Sequence, residues 1–180
     1  MPALEEAAHR VAKGDLPAFR IIVEACSERL VRLGARMLGN VTDAEDLVQE
    51  GYLRALRALQ EQKFDGRSSV ETWLHRIVAN LAVDQLRARK RRAPVVESND
   101  EMLVDTRANS ADTRLALREL DQLMSCLAAE QRVALILSAM EGFSNAEIAQ
   151  MMDCTEGSVE QRLVRARATL RQKRNDYGQS

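Results

Sequence analysis

Three clusters of side chains in this 180-residue chain stand out chemically. Residues 38–53 contain Asp43, Glu45, Asp46 and Glu50, with no Lys or Arg among them. Residues 87–92 (RARKRR) hold five bases in six positions. Residues 161–175 hold Arg162, Arg165, Arg167, Arg171, Lys173 and Arg174, with no acid. Carboxylates on an exposed helix make no acid–base couple without burial, and the acidic cluster has no His or Cys beside it. Nor does it alternate oxygen donors around a glycine, as a calcium loop must. Read alone, it fits acids at a helix start, favoured by the macrodipole, as well as it fits a docking patch. The basic clusters suit phosphates. His9 and His75 are isolated and read as surface residues. With no nucleophile–base pair, metal cluster or phosphate loop in the sequence, no enzyme, cofactor or metal is expected.

The net charge of −1 conceals a strong segregation. Residues 1–92 carry +3, residues 93–112 carry −4, and residues 113–180 are neutral. One acidic and two basic patches suggest a protein partner together with nucleic acid. Cys26, Cys126 and Cys154 are odd in number and form no CxxC pair, so neither a disulfide framework nor a structural zinc site is expected. The opening MPALEEAAHR lacks the basic-then-apolar pattern of a secretory signal, which points to the cytoplasm.

The elements that position these clusters read as helices throughout. Aromatics are only 3% of the chain while Leu, Ala, Arg, Glu and Gln abound, so an all-α fold is favoured over a sandwich or barrel. Leu16, Phe19, Ile22, Val23, Cys26, Leu30, Leu33 and Met37 recur at three- and four-residue steps, the signature of a helix over 15–38. Gly39-Asn40 then supplies a stop, and Thr42-Asp43-Ala44-Glu45 reads as a capping box for the next helix. That helix puts Ala44, Leu47, Val48, Tyr52, Ala55, Leu56 and Leu59 on one face. Phe64-Asp65-Gly66-Arg67 is a loop. Ser68-Ser69-Val70-Glu71 caps a helix with the buried stripe Trp73, Leu74, Ile77, Leu81 and Leu86. Residues 1–92 form one helical domain, and 93–112, with Pro94 and the run Glu97–Glu101, read as a flexible acidic linker. Residues 113–180 form a second domain that need not touch the first.

The second domain contains a helix-turn-helix pattern. Ser144-Asn145-Ala146-Glu147 caps a short helix, Asp153-Cys154 makes the turn, and Thr155 caps a final helix to about Lys173. Asp153 stands where glycine is commonest, and Asp takes the left-handed conformation at modest cost. Ile148, Ala149, Met152, Cys154, Val159 and Leu163 supply the inner faces. In such a unit the second helix enters the major groove, which nominates Thr155, Glu156, Ser158, Val159, Glu160, Gln161 and Arg162 for base edges, with Arg165 and Arg167 for phosphates. Trp73, His75, Arg76, Asn80, Asp84 and Gln85 lie on the helix that runs into RARKRR, as a base-reading face running into a phosphate clamp would.

In this order the pieces resemble an extracytoplasmic-function (ECF, group IV) sigma factor, a minimal bacterial transcription initiation factor. The carrying stretches are DLPAFRIIVEACSERLVRLGARMLGNVTDAEDLVQEGYLRALRAL, FDGRSSVETWLHRIVANLAVDQLRARKRR and EGFSNAEIAQMMDCTEGSVEQRLVRARATLRQKR. The resemblance implies that Asp43, Glu45, Asp46, Gln49 and Glu50 dock on the clamp helices of the polymerase β′ subunit. It assigns the loop with Phe64, Arg67 and Ser68 to capture of a flipped −10 base. Arg76, Asn80, Asp84, Gln85 and Arg87 then face the −10 bases, and Arg89, Lys90, Arg91 and Arg92 follow the backbone. The second domain reads the −35 element and meets the β flap, and an anti-sigma factor holds the free, monomeric chain inactive, without membrane contact of its own. One departure stands out. The family's recognition helix commonly reads G-T-V-K-S-R-L where this chain has Gly157-Ser158-Val159-Glu160-Gln161-Arg162-Leu163, so a carboxylate that prefers a cytosine amino group replaces a base.

Two other readings compete. A sigma-like adaptor that sequesters an anti-sigma factor would lose its basic clusters, and this chain keeps both. A helix-turn-helix repressor would dimerise on a palindrome. The composition break at Ala93 also makes a prediction: limited proteolysis should cut first between roughly Val96 and Asn109, and protection of that stretch in the free chain would count against a linker there.

Overall fold

The structure is a computed structural model that describes residues 2–92 and 122–177. Their main elements are helical: α1 (Pro2–Ala12), a 3-10 turn (Leu16–Ala18), α2 (Phe19–Leu38), α3 (Val41–Gln60), α4 (Val70–Arg92), α5 (Ala129–Ala139), α6 (Asn145–Met151) and α7 (Glu156–Tyr177), and residues 122–125 are helical too. The expected linker at 93–112 and the expected apolar steps at Leu115, Leu117 and Leu120 lie outside the described residues.

Helix α1 was not anticipated from the sequence, although Leu4, Ala7, Ala8 and Val11 follow helical steps and are all buried. It packs on α2, α3 and α4. Its Glu5 accepts a hydrogen bond from the Val70 backbone N–H at 3.2 Å, which occupies an amide that the first turn of α4 leaves free. A bond from its own backbone amide, with that from Val70, holds the Glu5 carboxyl below the ordinary range against the opposing effect of burial.

Helices α2 and α3 form a hairpin with almost no loop. Gly39 takes the left-handed conformation (φ 89°) and donates its N–H to the Ala35 carbonyl at 2.8 Å, closing α2. The next residue already starts α3: the Asn40 side-chain oxygen accepts from the Asp43 N–H at 2.7 Å. The expected cap at Thr42 is thus corrected to Asn40, two residues earlier. The helices can pass so closely because Gly34 has no side chain; a Cβ there would lie 3.2 Å from Ala44 Cβ.

Helix α4 buries more than the expected stripe. Leu74 and Leu81 are buried as expected, but Val70, His75, Val78, Ala79, Ala82 and Val83 join them, while Trp73, Ile77 and Leu86 are only half-buried. The cause is that α4 is covered on two sides, by α1, α2 and α3 on one and by α5 and α6 on the other. His75, expected at the surface, is 1% exposed. Its Nδ1 lies 2.7 Å from the Glu71 carbonyl, and its ring meets Phe143 edge-on with centroids 5.4 Å apart.

Helices α6 and α7 form the expected helix-turn-helix, and α5 packs against both. The Ser144–Glu147 box closes reciprocally, with Glu147 N–H on Ser144 Oγ at 3.3 Å and Ser144 N–H on Glu147 Oε2 at 2.8 Å. The Ser144 N–H, together with the Ser144 hydroxyl that donates to the same oxygen at 2.7 Å, holds the Glu147 carboxyl below its usual range. Asp153 has φ 49°, in the left-handed region as expected. The Thr155 hydroxyl caps α7 by accepting from the Ser158 N–H at 3.2 Å. Val159, Leu163 and Ala166 are buried beside Val133, Leu137, Ile148 and Met151.

The two parts of the chain, expected to need no contact, pack against each other. Alongside the α4 contacts, Arg36 Nη1 of α2 donates to Glu141 at 2.9 Å, and Arg87 of α4 donates through Nε to Glu130 of α5 at 2.7 Å.

The revised cap yields a direct prediction. Asn40→Ala should destabilise the chain by about 1 kcal/mol, from loss of the α3 cap, whereas Thr42→Ala should change little. Urea denaturation of the two variants checks this; equal effects would restore Thr42 as the cap.

Candidate nucleic-acid interface

Helix α3 separates its two faces cleanly. Leu47 and Val48 are buried, while Glu45, Asp46, Gln49 and Glu50 are exposed, and Glu50 is paired with Arg54 at 2.8 Å. Leu53, half-exposed, adds an apolar spot one turn on. Asp43 behaves differently from its neighbours. It is only partly accessible and is gripped by the Asn40 amide and by Arg89, which also donates to the Leu38 carbonyl at 3.1 Å. Asp43 and Arg89 therefore tie the end of α2, the start of α3 and the end of α4 together. The sequence placed one in a protein-docking patch and the other on a phosphate path; the structure joins them to each other.

The basic stripe on α4 forms because Arg76, Asn80, Asp84, Arg87 and Arg91 recur at three- and four-residue steps on one face. Arg76, Asp84, Lys90, Arg91 and Arg92 are exposed, and Asn80 and Gln85 are half-buried. Arg87 is exposed but engaged with Glu130. That carboxyl stands below its ordinary value: burial pushes it up, but its own backbone amide, Arg87 and the charge of Arg162 together outweigh burial.

The loop before α4 is held at both ends. Ser69 Oγ accepts from the Thr72 N–H at 3.1 Å, so Ser69 is the cap of the expected serine pair. Phe64 leans on Trp73 with centroids 4.8 Å apart. Between them Asp65 Oδ1 accepts from the Arg67 N–H at 3.1 Å, and the Arg67 guanidinium stays almost wholly in solvent. Ser68 is half-buried.

On α7, Thr155, Glu156, Glu160, Gln161, Arg165 and Arg167 are exposed, and Ser158 is half-buried with its hydroxyl 2.9 Å from Thr155 Oγ1. Val159 is corrected: it is fully buried between α6 and α7, so it packs the unit and cannot reach a base. Arg162 lies back over the turn, with Nη1 3.2 Å from Cys154 Sγ and 3.9 Å from Met152 Sδ. Cys26 is buried, and burial pushes its thiol up, with the Glu71 charge adding to that. Among the described residues no three of His, Cys, Asp and Glu are placed to hold a metal ion. The contacts that the sequence did not reveal are Glu130, Glu141 and Phe143. Their partners lie at least 43 residues away, beyond any local pattern.

Residues 22–92 match the sigma-70 region 2 family, and residues 117–170 match sigma-70 region 4. Over 175 residues the chain is 32% identical to the ECF RNA polymerase sigma-E factor of Haemophilus influenzae, covering 91% of each protein. The chain belongs to the ECF sigma factors. It is also 33% identical over 177 residues to the sigma-E factor of Escherichia coli K12, covering 89% of this chain and 88% of that one. Two solved structures share its architecture. CnrH, determined in complex with the cytosolic domain of CnrY, aligns with TM-score 0.68 at 25% identity over 97% and 98% of the two chains. The sigma factor RpoE of Bartonella quintana, determined with the anti-sigma factor NepR, aligns with TM-score 0.66 at 26% identity over 86% and 94%. The family accounts for the basic stripe and helix-turn-helix in one molecule, since a sigma factor acts on RNA polymerase and promoter DNA in transcription initiation. No described helix of this sigma factor is long and apolar enough to cross a membrane.

The link between Asp43 and Arg89 gives a measurable coupling. A double-mutant cycle with Asp43→Ala and Arg89→Ala, followed by denaturation, should return about 0.5–1 kcal/mol, the scale of a partly exposed pair. The parallel cycle of Asp46 with Arg89 should return none. Equal values would dissolve the distinction between Asp43 and the other acids of α3.

Proposed function

We propose that this ECF sigma factor divides its work between residues 1–92, which bind core polymerase and open the −10 element, and residues 113–180, which read the −35 element, with 93–112 joining them. The observation that carries this reading is the presentation, side by side on α3 and α4, of an exposed acidic patch and an exposed basic stripe. Glu45, Asp46, Gln49 and Glu50 are the residues for the β′ clamp helices. Arg76, Asn80, Asp84 and Gln85, with Lys90, Arg91 and Arg92, face the −10 strand, and Arg67, exposed at the loop tip with Asp65 3.3 Å from its Nε, meets a flipped base. On α7, Ser158 and Glu160 read bases while Arg165 and Arg167 hold phosphates, and the β flap meets the second domain. The role is one of positioning and strand separation, with no catalytic group of its own, performed in the cytoplasm by a monomer.

An anti-sigma factor is the proposed regulator. CnrH and Bartonella RpoE, both similar in fold, were solved with CnrY and with the anti-sigma factor NepR respectively. The adaptor reading is disfavoured because the basic side chains of α4 and α7 remain largely at the surface. Run-off transcription with bacterial core polymerase and a randomised promoter library tests the proposal; binding to an anti-sigma factor without any initiation would favour the adaptor.

Two sets of variants separate the roles. Reversing charge at Asp46 and Glu50 should weaken core polymerase binding at unchanged thermal stability, because both side chains are exposed. Loss of stability with intact binding would make the acids structural. In promoter binding, Arg165→Ala should lower the salt slope by roughly 0.9 on every duplex sequence. Glu160→Ala should instead alter preference at one −35 position by about 1–3 kcal/mol with the slope nearly unchanged. A uniform effect of Glu160→Ala on all promoters would remove its base-reading role.

A further inference from the structure

Arg89 stands in the most basic segment of the chain, yet it faces away from the stripe that its neighbours build. A helix turns about 100° per residue, so Arg89 lies about 200° from Arg87 and from Arg91, the two stripe residues that flank it. Its guanidinium reaches the junction of α2 and α3 instead. There Nη1 donates to the Leu38 carbonyl at 3.1 Å, and Nη2 pairs with Asp43. Leu38 ends α2, so its carbonyl has no partner within that helix. Asp43 is itself held: the Asn40 amide donates to its carboxylate, and its backbone N–H donates to Asn40 Oδ1 at 2.7 Å. The end of α4 needs such a tie. Its last buried side chain is Val83, and residues 84–92 are half-buried or exposed. A helix end with few buried apolar contacts opens readily, and this one carries Arg87, Lys90, Arg91 and Arg92. The tie from Arg87 to Glu130 uses a side chain of the stripe itself, whereas the Arg89 tie leaves the stripe open.

We infer that Arg89 is a positioning residue for binding of the −10 strand. Through Leu38 and Asp43 it fixes the last turns of α4 on the α2–α3 junction, so that Arg91 and its neighbours meet the strand in one orientation, and it takes no phosphate itself. This rests on the reading of α4 as the −10 face. It gives a joint task to two residues that the family resemblance assigns to separate partners, Arg89 to the DNA backbone and Asp43 to the β′ subunit. The residue type suits the task. A planar guanidinium fork holds two acceptors in fixed geometry, which an ammonium on a flexible stem does not.

The test titrates holoenzyme, assembled with saturating native or variant chain, with a single-stranded oligonucleotide. The oligonucleotide copies the non-template −10 region of a promoter recovered by run-off selection, and the titration is repeated at several salt concentrations. Circular dichroism first establishes that each variant is as helical as the native chain. Arg89→Gln and Asp43→Asn should each weaken binding about three- to tenfold, as the fraction of molecules with the end of α4 in place falls. The salt slope should stay nearly unchanged. The double variant should lose no more than either single one, because both break the same tie. A phosphate contact would behave in the opposite way. Its loss in Arg89→Gln would lower the slope by about 0.7 on a single strand. Asp43→Asn would then release Arg89 and remove a negative charge, tightening binding and steepening the slope. Either result overturns the positioning role, and so do losses that add. Arg89→Lys keeps the charge and serves where the Gln variant loses helix content. It should bind as weakly as expected for Arg89→Gln, and recovery of native affinity by Lys overturns the inference. Native holoenzyme that holds no −10 strand at any salt concentration would instead remove the reading of α4 on which the role rests, and the role with it.

Discussion

Helix α4 has to satisfy three demands on one circumference. It must bury a strip against α1–α3, bury another against α5 and α6, and leave a third strip of Arg76, Asn80, Asp84 and Arg91 open. A helix offers only 3.6 residues per turn, so nearly every position is committed. This explains the small residues Ala79 and Ala82 at the crowded sites and the tolerance for a histidine in the core, where Nδ1 stays bonded to its own helix. It also explains why the neighbours of α4 are so heavily tied to its ends: Glu5 at the first turn, Asp43 and Leu38 at the last.

Much of this was legible in residue order. Helical steps of apolar residues gave α2, α3 and α7, and the reciprocal Ser144–Glu147 box and the Thr155 cap formed as their types and spacing require. Where two capping residues compete within three positions, local chemistry does not choose between them. Asn40 prevailed over Thr42 because Gly39 had already closed α2, leaving Asn40 in an extended conformation with its side chain free to turn back. The α4 stripe was read too narrowly because a one-faced pattern was sought in a helix that is covered on two sides.

The candidate site divides along the same line. Side chains whose roles depend on exposure, such as Glu45, Asp46, Arg165 and Arg167, stand where periodicity puts them. Val159 was nominated for bases from its place near the helix start, yet the period that exposes Ser158 and Glu160 on its flanks turns Val159 inward. Glu130, Glu141 and Phe143 carry no local signal at all. A carboxylate in a turn has the same sequence appearance whether it meets water or a guanidinium a hundred residues away. Only the tertiary path separates these outcomes.

The junction of α2 and α3 has an evolutionary consequence. Closing residue and opening residue are adjacent there, with a left-handed glycine and a capping asparagine and nothing between them. An inserted residue cannot be stored as slack; if carried into the helix it would turn α3 by about 100°, putting Asp46 in the buried place of Leu47 and Val48 in the exposed place of Gln49. Lengthening should therefore be purged at positions 39–40 and accumulate in the stretch between Glu61 and Ser69, where Gln62 and Gly66 already take left-handed turns at the surface. Across related sequences, the gaps of an alignment should fall on one side of α3 and avoid the other.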